Sequence, residues 1–330
     1  MALYLTEADV HGLLNMPLAL EVVEDSFRRQ AEGRAMLHSR QRLHIPGESY
    51  LHYMAAADAA AGYMGLKIYT SSREGLRFLV PLFNIHTGDL AAMIEADYLG
   101  QVRTGAASGV ATRYMARADV RVAGIIGTGL QARTQLEAVA LVRELEAVRV
   151  FSRNEERRER FADEMGVALK VRVEAVDAEE KAVLEADVIV TATTATEPVV
   201  EGGWIKPGAH INAIGANFPN KRELDEAAVN RAGLIAVDSR EQSKIEAGDL
   251  IHVFKKDQAR WNSVLELSEI VSGQLPGRLS AEQVTLFKSN GIATEDVAVG
   301  ARIYELAKSR GVGREFPCWE EKRKAAERNS

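Results

Sequence analysis

The sequence predicts an α/β fold in which a Rossmann-type doubly wound parallel sheet is joined to an α+β domain. Two observations support this prediction. From Val122 onward, apolar strand segments alternate with helical segments, which is the pattern of a parallel sheet with crossover helices. Before that point, strand-like segments follow one another with turns between them, as in an antiparallel sheet. Because 330 residues exceed the size of one ordinary core, two domains are expected.

The first domain is expected to span residues 1–118 and to bind substrate and dimerise. Residues Thr6 to Asp9 have the spacing of a helix capping box, and Pro17 is placed to begin a second helix. Strands are then expected over residues 40–45, 50–55, 63–69, 79–84 and 90–95. The small-residue segment 103–118 has helical spacing and leads into the next domain.

The dinucleotide-binding domain is expected to span residues 119–295. Its strands are expected over residues 122–126, 148–151, 186–193, 210–215, 234–238 and 285–289. Helices are expected over residues 130–144 and 155–165. A helix is expected over residues 293–309, and the chain should return to the first domain through this C-terminal helix, whose segment is assigned to residues 296–330. The polar end from Glu320 is expected to fray.

The turn after the first strand of this second domain has the form G-x-G-x-x-A. Gly127 allows the tight turn, Gly129 lets the backbone approach a pyrophosphate, and Ala132 allows close packing of the helix on the strand. The new helix begins there, so its free N–H groups and positive dipole end favour a phosphate. The motif therefore predicts a dinucleotide site that includes Gly127, Thr128, Gly129, Leu130 and Gln131.

The end of the second strand of this domain indicates which dinucleotide is bound. An acidic residue there would accept the ribose 2′-OH of NAD, whereas an arginine accommodates the 2′-phosphate of NADP. This chain has Ser152, Arg153 and Asn154 at that point, so NADP(H) is the preferred cofactor and NAD(H) the alternative. The alternative is that Arg153 is an ordinary surface residue. Thr193, at the end of a later strand, is a further expected cofactor contact.

Composition excludes several other classes of function. A net charge of −6 and a pI near 5.8 give no basic surface for nucleic acid. The chain has no run of about 18 apolar residues and no basic leader, so no membrane association is expected and a cytoplasmic location is predicted. Cys318 is the single cysteine, and neither a disulfide nor a metal site is expected from the spacing of possible ligands.

Several segments together resemble the ornithine cyclodeaminase/mu-crystallin family over nearly the whole chain. They are QRLHIP, GLKIYT, NIHTGDLAAMIEADYLGQVRTGAASGVATRYMA, GTGLQARTQ, ADVIVTATTATEPVV, GANFPNKRELD, VDSREQSKIEAGDL and FKSNGIATEDVAVGARIYELA. Their order and spacing make the resemblance specific. It implies a homodimer that acts on a small amino or imino acid, since the family includes cyclodeaminases, alanine dehydrogenases and ketimine reductases.

The resemblance also assigns residues that hold the substrate carboxylate, which fall on Arg42, Lys67 and Arg103. The chemistry agrees, because a guanidinium binds a carboxylate through two hydrogen bonds and a partly buried lysine can donate a proton. Each of these residues could instead be an ordinary ion pair. Lys67 is flanked by apolar residues in a strand-like segment, which favours a buried partner.

Two positions depart from the cyclodeaminase pattern. Where cyclodeaminases carry a catalytic aspartate, this chain has Asn217, which cannot take a proton but could orient a water or the imine nitrogen. A second cyclodeaminase carboxylate corresponds to His52, which could be a substrate contact or simply a strand residue. Both changes remove groups expected to handle the side-chain amine of ornithine.

The sequence therefore predicts an NAD(P)H-dependent oxidoreductase that interconverts a 2-imino or 2-oxo acid and the L-amino acid. The substrate would be a cyclic ketimine such as pyrroline- or piperideine-2-carboxylate, or pyruvate plus ammonia. Lys67 and Asn217 are the expected catalytic residues, and Arg42, Lys67, Arg103 and His52 the expected substrate contacts. Ornithine cyclodeaminase and a mu-crystallin-like NADPH-dependent binding protein are the alternatives.

Overall fold

The structure is a computed structural model that describes residues 1–319. The strands in this part of the chain are β1 (Ala2–Leu5), β2 (Ala35–Ile45), β3 (Ser49–Asp58), β4 (Tyr63–Ser72), β5 (Gly75–Asn84), β6 (Leu90–Glu95), β7 (Val122–Ile126), β8 (Ala147–Phe151), β9 (Arg172–Ala175), β10 (Val188–Thr191), β11 (His210–Ala213), β12 (Leu234–Val237), β13 (Leu265–Glu266), β14 (Thr285–Lys288) and β15 (Arg314–Phe316). The α-helices are α1 (Glu7–Leu13), α2 (Met16–Ala31), α3 (Asp97–Met115), α4 (Leu130–Val142), α5 (Glu155–Leu169), α6 (Glu179–Val183), α7 (Glu226–Arg231), α8 (Arg240–Glu246), α9 (Gly248–Phe254), α10 (Leu267–Val271) and α11 (Ala293–Arg310).

The chain divides into two compact units. Unit 1 contains Met1–Asn15, Glu32–Gly100 and the segment from Ala293, and unit 2 contains Met16–Ala31 and Gln101–Ile292. This division differs from the domains expected from the sequence, 1–118 with 296–330 and 119–295. Helix α2 belongs to unit 2 because it packs on α10 and α4. Most of α3 does so as well, since its Thr112 accepts a hydrogen bond from Asn212 of β11.

Unit 1 is built on one sheet whose strand order, within residues 1–319, is β15-β1-β6-β5-β4-β3-β2. Among the strand pairs of this sheet within residues 1–319, only β1–β6 is parallel. Helix α11 packs across β2, β3, β4 and β5. The predicted capping box is confirmed at α1, where Thr6 and Asp9 each bond the other's backbone N–H.

The helix expected over residues 293–309 is present as α11, Ala293–Arg310. The wider assignment of residues 296–330 to one C-terminal helix is corrected by the structure. Helix α11 ends at Arg310, and strand β15 pairs with β1 shortly afterwards. Gly311 and Gly313 both adopt positive φ, 65° and 95°, a conformation that ends a helix and that glycine adopts without strain. The rest of that expected helix, including the tail predicted to fray, reaches residues 320–330, which lie outside the described residues.

Unit 2 is a parallel sheet in the order β13-β12-β14-β11-β10-β7-β8-β9 among the described residues. Read from β9 to β11, the first five strands of the unit follow the Rossmann order 3-2-1-4-5, and β14 lies between β11 and β12. The predicted doubly wound parallel sheet is confirmed. Its strands are buried, with Ile125, Ile189 and Ile211 all fully inaccessible to solvent. The strand order reverses between β7 and β10, and a ligand of this fold binds at the carboxyl ends of the strands at that point.

Two further properties concern residues 1–319 alone. Their helices are all too short or too polar to cross a membrane. They also contain no group of three or more His, Cys, Asp or Glu side chains that could hold a metal ion.

Candidate active site

The turn after β7 has the geometry that a dinucleotide needs. Gly127 has a φ of +113°, and a Cβ there would lie 2.4 Å from the carbonyl oxygen of Ala192, so the position requires glycine. Gly129 is the N-cap of α4, and a Cβ there would meet nothing within 4 Å. The Oε1 atom of Gln131 is buried without a hydrogen-bond partner in the described part of the chain. This open, donor-rich turn at a helix N-terminus fits a pyrophosphate.

The segment after β8 presents a cation at the expected place. Arg153 is exposed there, between Ser152 and Asn154. The side chain of Asn154 caps α5 by accepting from the backbone N–H of Arg157 at 2.8 Å, and the Ser152 hydroxyl donates to the carbonyl of Asn154 at 3.0 Å. These bonds fix the conformation of the turn. None of residues 152–154 is acidic.

The loops after β10 and β11 carry Thr193 and Asn217. Both loops are bonded to the carboxylate of Glu223, which is fully buried. The backbone N–H and the hydroxyl of Thr193 each donate a hydrogen bond to Glu223 at 2.7 Å. The hydroxyl oxygen of Thr193 also accepts from the N–H of Ala195 at 3.1 Å. Thr193 is therefore held in one orientation at the carboxyl edge of the sheet.

Arg103 lies against the loop after β14. A Cβ on Gly291 would be 2.5 Å from the Nη1 atom of Arg103, so the guanidinium packs directly on that glycine. Gly291 has a φ of +72°, and the side chain of Arg103 is almost completely buried. A larger residue at position 291 would displace the guanidinium.

One face of the unit 1 sheet brings together Arg42, His52 and Lys67. Arg42 pairs directly with His52 across β2 and β3, and Lys67 pairs with Met54 across β4 and β3. Directly paired residues project to the same face, as do residues two apart on one strand, so the three side chains share a face. Arg40 also lies here, because its guanidinium contacts the sulfur of Met54 at 3.8 Å.

The ammonium of Lys67 is buried and held by named contacts. Its Nζ atom donates to Oδ1 of Asp296 on α11 at 2.8 Å, and Asp296 is fully inaccessible to solvent. The Nζ atom lies 5.2 Å from the centre of the Phe78 ring. A Cβ on Gly100 would come within 2.8 Å of the same Nζ atom, so glycine at that position makes room for the ammonium.

His52 is neutral in this surrounding. Burial lowers its pKa, and with the smaller effect of the positive charges of Arg42 and Arg40 the pKa is about 4. Its ring stacks parallel to that of Tyr69, with centroids 4.3 Å apart and an interplanar angle of 1°. A neutral histidine beside two guanidinium groups cannot take the place of a carboxylate that would bind an ammonium.

The structure thus gives two sets of residues. In unit 2, the predicted cofactor residues and Asn217 follow the carboxyl ends of parallel strands, and Arg103 packs on the loop after β14. In unit 1, Arg42, His52 and Lys67 share one face. No role was predicted from the sequence for Glu223 or Asp296, although both lie in family-like segments. A charged residue between apolar helix positions, as at 296, was the available signal.

The chain is similar to known proteins over most of its length. A family model described as the ornithine cyclodeaminase/mu-crystallin family matches residues 2–311. The alanine dehydrogenase of Archaeoglobus fulgidus is 35% identical over 327 residues, which cover 94% of this chain and 97% of that protein.

Two solved structures are similar over nearly the whole chain. The Thermococcus litoralis Delta(1)-pyrroline-2-carboxylate reductase in complex with NADH and L-proline has a TM-score of 0.91 and 36% identity, covering 95% of this chain and 100% of that one. An archaeal alanine dehydrogenase dimer with bound NAD has a TM-score of 0.91 and 34% identity, covering 96% and 99%.

Proposed function

This chain belongs to the ornithine cyclodeaminase/mu-crystallin family, and we propose that it interconverts a 2-imino or 2-oxo acid and the corresponding L-amino acid with a nicotinamide cofactor. The observation that supports this most is the shared face of Arg42 and Lys67, in a chain that also has a dinucleotide turn. A convergent pair of cations suits a carboxylate substrate. A protein that binds only neutral ligands would not need it.

We propose a cyclic ketimine, such as pyrroline- or piperideine-2-carboxylate, as the substrate, with pyruvate plus ammonia as the close variant. The names of the similar proteins, a pyrroline-2-carboxylate reductase and an alanine dehydrogenase, support both. The neutral His52 and the amide of Asn217 argue against a diamino acid, since neither offers a negative charge to a second ammonium.

The roles of the site residues follow from their chemistry. A bound nicotinamide supplies or accepts the hydride. Arg42 and Arg103 bind the substrate carboxylate, and orientation of this kind accounts for roughly 7–11 kcal/mol of barrier in well-positioned reactions. Lys67, held by Asp296, contacts the substrate and donates the proton that balances hydride addition. Asn217 orients the imine nitrogen or a water by hydrogen bonding.

For the cofactor, we propose that NADP(H) is preferred and that NAD(H) is also accepted. Arg153 is exposed at the end of β8 and suits a ribose 2′-phosphate. The similar structures contain NADH or NAD, so a nicotinamide cofactor is common to the family, and the choice between the two rests on this arginine.

We also propose that the protein is a homodimer through the other face of the unit 1 sheet. That face exposes apolar side chains: Leu43 and Ile45 are about 60% exposed, and Tyr53, Met64 and Leu79 project from the same face. A contiguous apolar face is typical of a protein interface, and the similar alanine dehydrogenase is described as a dimer. Leu43→Glu should shift the protein to monomer in analytical ultracentrifugation.

A substrate panel tests the proposed activity. NADPH and NADH are each incubated with Delta(1)-pyrroline-2-carboxylate, Delta(1)-piperideine-2-carboxylate, or pyruvate with ammonia, and nicotinamide absorbance is followed. Stoichiometric cofactor oxidation with at least one of them is the expected result. Release of ammonia from ornithine with catalytic NAD would instead support a cyclodeaminase. Tight NADPH binding without turnover of any substrate would support a mu-crystallin-like binding protein.

A further inference from the structure

The carboxylate of Glu223 accepts an unusual number of hydrogen bonds for a buried group. Its Oε1 atom accepts from the N–H and the hydroxyl of Thr193, both at 2.7 Å. Its Oε2 atom accepts from the Thr191 hydroxyl at 2.9 Å and from the N–H groups of Gly215 and Ala216 at 2.7 and 3.2 Å. Glu223 itself is fully inaccessible to solvent. One side chain therefore satisfies five donors.

Four of these donors belong to two different loops of unit 2, and the fifth, the hydroxyl of Thr191, lies at the end of β10. Thr193 follows β10, and Gly215 and Ala216 follow β11 and lead directly to Asn217. The loops are also in close contact, because a Cβ on Gly215 would lie 2.2 Å from the carbonyl oxygen of Thr193. Strands β10 and β11 belong to the second mononucleotide-binding half of the Rossmann sheet, whereas the Gly127 turn and Arg153 belong to the first.

Glu223 is in turn fixed by a second buried carboxylate. Oδ1 of Asp249 accepts from the backbone N–H groups of Glu223 and Leu224 at 2.6 and 3.0 Å. Lys288, at the end of β14, lies with its Nζ 3.3 Å from Oδ2 of Asp249 and donates to the carbonyl of Ala213 at 3.2 Å. Asp249 and Lys288 are also fully buried. The position of Glu223 is therefore set by α9 and β14 as well as by its own loop.

Burial and the neighbouring Asp249 raise the pKa of the Glu223 carboxyl, while Lys288 and the bonds from Thr193 oppose this rise. The geometry favours the ionised form, because every neighbour of the two oxygens is a donor. A protonated carboxyl would lose an acceptor site, and the three backbone N–H groups among its neighbours cannot accept in return.

We propose that Glu223 is a positioning residue that sets the loop of Thr193 and the loop of Asn217 at a fixed separation, and so holds the nicotinamide half of the cofactor in one orientation. This inference rests on the proposed function. A displacement of about 1 Å of a positioned group can reduce a reaction rate about a hundredfold. Glu223 acts on the reaction only through these two loops, and the adenosine half of the cofactor is independent of it.

The test compares Glu223→Gln with a matched control, Asp187→Asn. Glutamine keeps the shape, but its amide NH₂ faces at least two of the five donors and cannot accept from them. Asp187 is likewise buried and accepts from the N–H groups of Arg121 and Val122, both at 2.9 Å. Asp187 lies at the amino ends of β7 and β10, the opposite edge of the sheet from the site. Both variants should lose thermal stability.

Four quantities are measured for each variant. They are kcat, the Kd for NADH, the Kd for ADP-ribose, which lacks the nicotinamide, and amide hydrogen exchange in peptides covering residues 192–196 and 213–218. We expect Glu223→Gln to lower kcat between about tenfold and a hundredfold, to weaken NADH relative to ADP-ribose, and to speed exchange in both peptides. Asp187→Asn should change none of these. Glu223→Asp, which keeps the charge, should recover part of the loss.

The proposal is overturned if Glu223→Gln matches Asp187→Asn, with a lower melting temperature but unchanged kcat and an unchanged ratio of the two Kd values. If Glu223→Gln does not fold, Thr193→Ala removes one donor of the same connection and should show a smaller change in the same direction. If the wild-type protein reduces no imino acid, the proposed function fails. The Kd ratio and the exchange rates still decide the role of Glu223.

Discussion

Gly129→Ala should separate cofactor binding from stability. The backbone at Gly129 has φ −79° and ψ −178°, a conformation that alanine adopts without strain, and a Cβ there would meet nothing within 4 Å. Alanine restricts the unfolded chain, which stabilises by about 0.4–1 kcal/mol. Alanine is also a poorer N-cap than glycine, which lowers the free energy of unfolding by about the same amount. The free energy of unfolding should therefore change by less than about 1 kcal/mol.

Cofactor affinity should fall much more, because the open space at Gly129 is where a pyrophosphate would approach the backbone. A methyl group there should weaken NADPH binding by at least about tenfold, or about 1.4 kcal/mol. Isothermal titration calorimetry gives the Kd, and urea denaturation without cofactor gives the stability. Gly127→Ala is the contrasting variant, since its Cβ would lie 2.4 Å from a carbonyl oxygen and should destabilise the fold itself. Unchanged NADPH affinity in a folded Gly129→Ala protein would refute the assigned phosphate site.

Three further predictions concern the cofactor, the lysine and a buried histidine. Arg153→Asp should weaken NADPH binding by at least about tenfold more than NADH binding, and equal losses would contradict the assignment. Lys67→Met should reduce kcat at least a hundredfold, since loss of a proton donor typically lowers a rate by about 10² to 10⁴. The Kd for NADPH should stay nearly unchanged. Turnover at the wild-type rate would exclude a catalytic role for Lys67. Burial lowers the pKa of His210 to about 3. As the pH falls below about 6.5 the unfolded chain therefore takes up a proton that the folded chain does not. Through this residue the free energy of unfolding should fall by about 1.4 kcal/mol for each pH unit below that point. Denaturation of His210→Asn at several pH values should lack this contribution, and the same pH dependence in the variant and the wild type would contradict the prediction.

Local patterns predicted a large part of the fold. The alternation of apolar strands and helices identified the parallel sheet, and the glycine spacing identified the turn after β7, because both depend on residues close together in the sequence. Strands β1 and β15 were missed, since each is short and is stabilised by a partner about 300 residues away. The grouping of α2 with unit 2 likewise depends on packing that no local pattern records.

The candidate site likewise combines features that nearby residues predict with features that depend on residues far away in the sequence. Lys67 could be singled out because a charge among apolar strand residues needs a partner. The identity of that partner, Asp296, could not be predicted, because 229 positions separate the two residues. Glu223 was missed for a related reason, since its significance comes from five donors on two separate segments, residues 191–193 and 215–216. The neutrality of His52 also required the structure, because it follows from burial and from two neighbouring arginines.

The central claim is that the cofactor is consumed in a net transfer of hydride to the carbon beside a carboxylate. The most direct measurement uses NADPH carrying deuterium at the transferable position of C4, incubated with Delta(1)-pyrroline-2-carboxylate, followed by mass spectrometry of the product. The account predicts L-proline with one deuterium at C2 and one NADP⁺ formed per proline. Absence of deuterated product with any imino acid of the panel, or L-proline formed from ornithine with the cofactor regenerated, would contradict it.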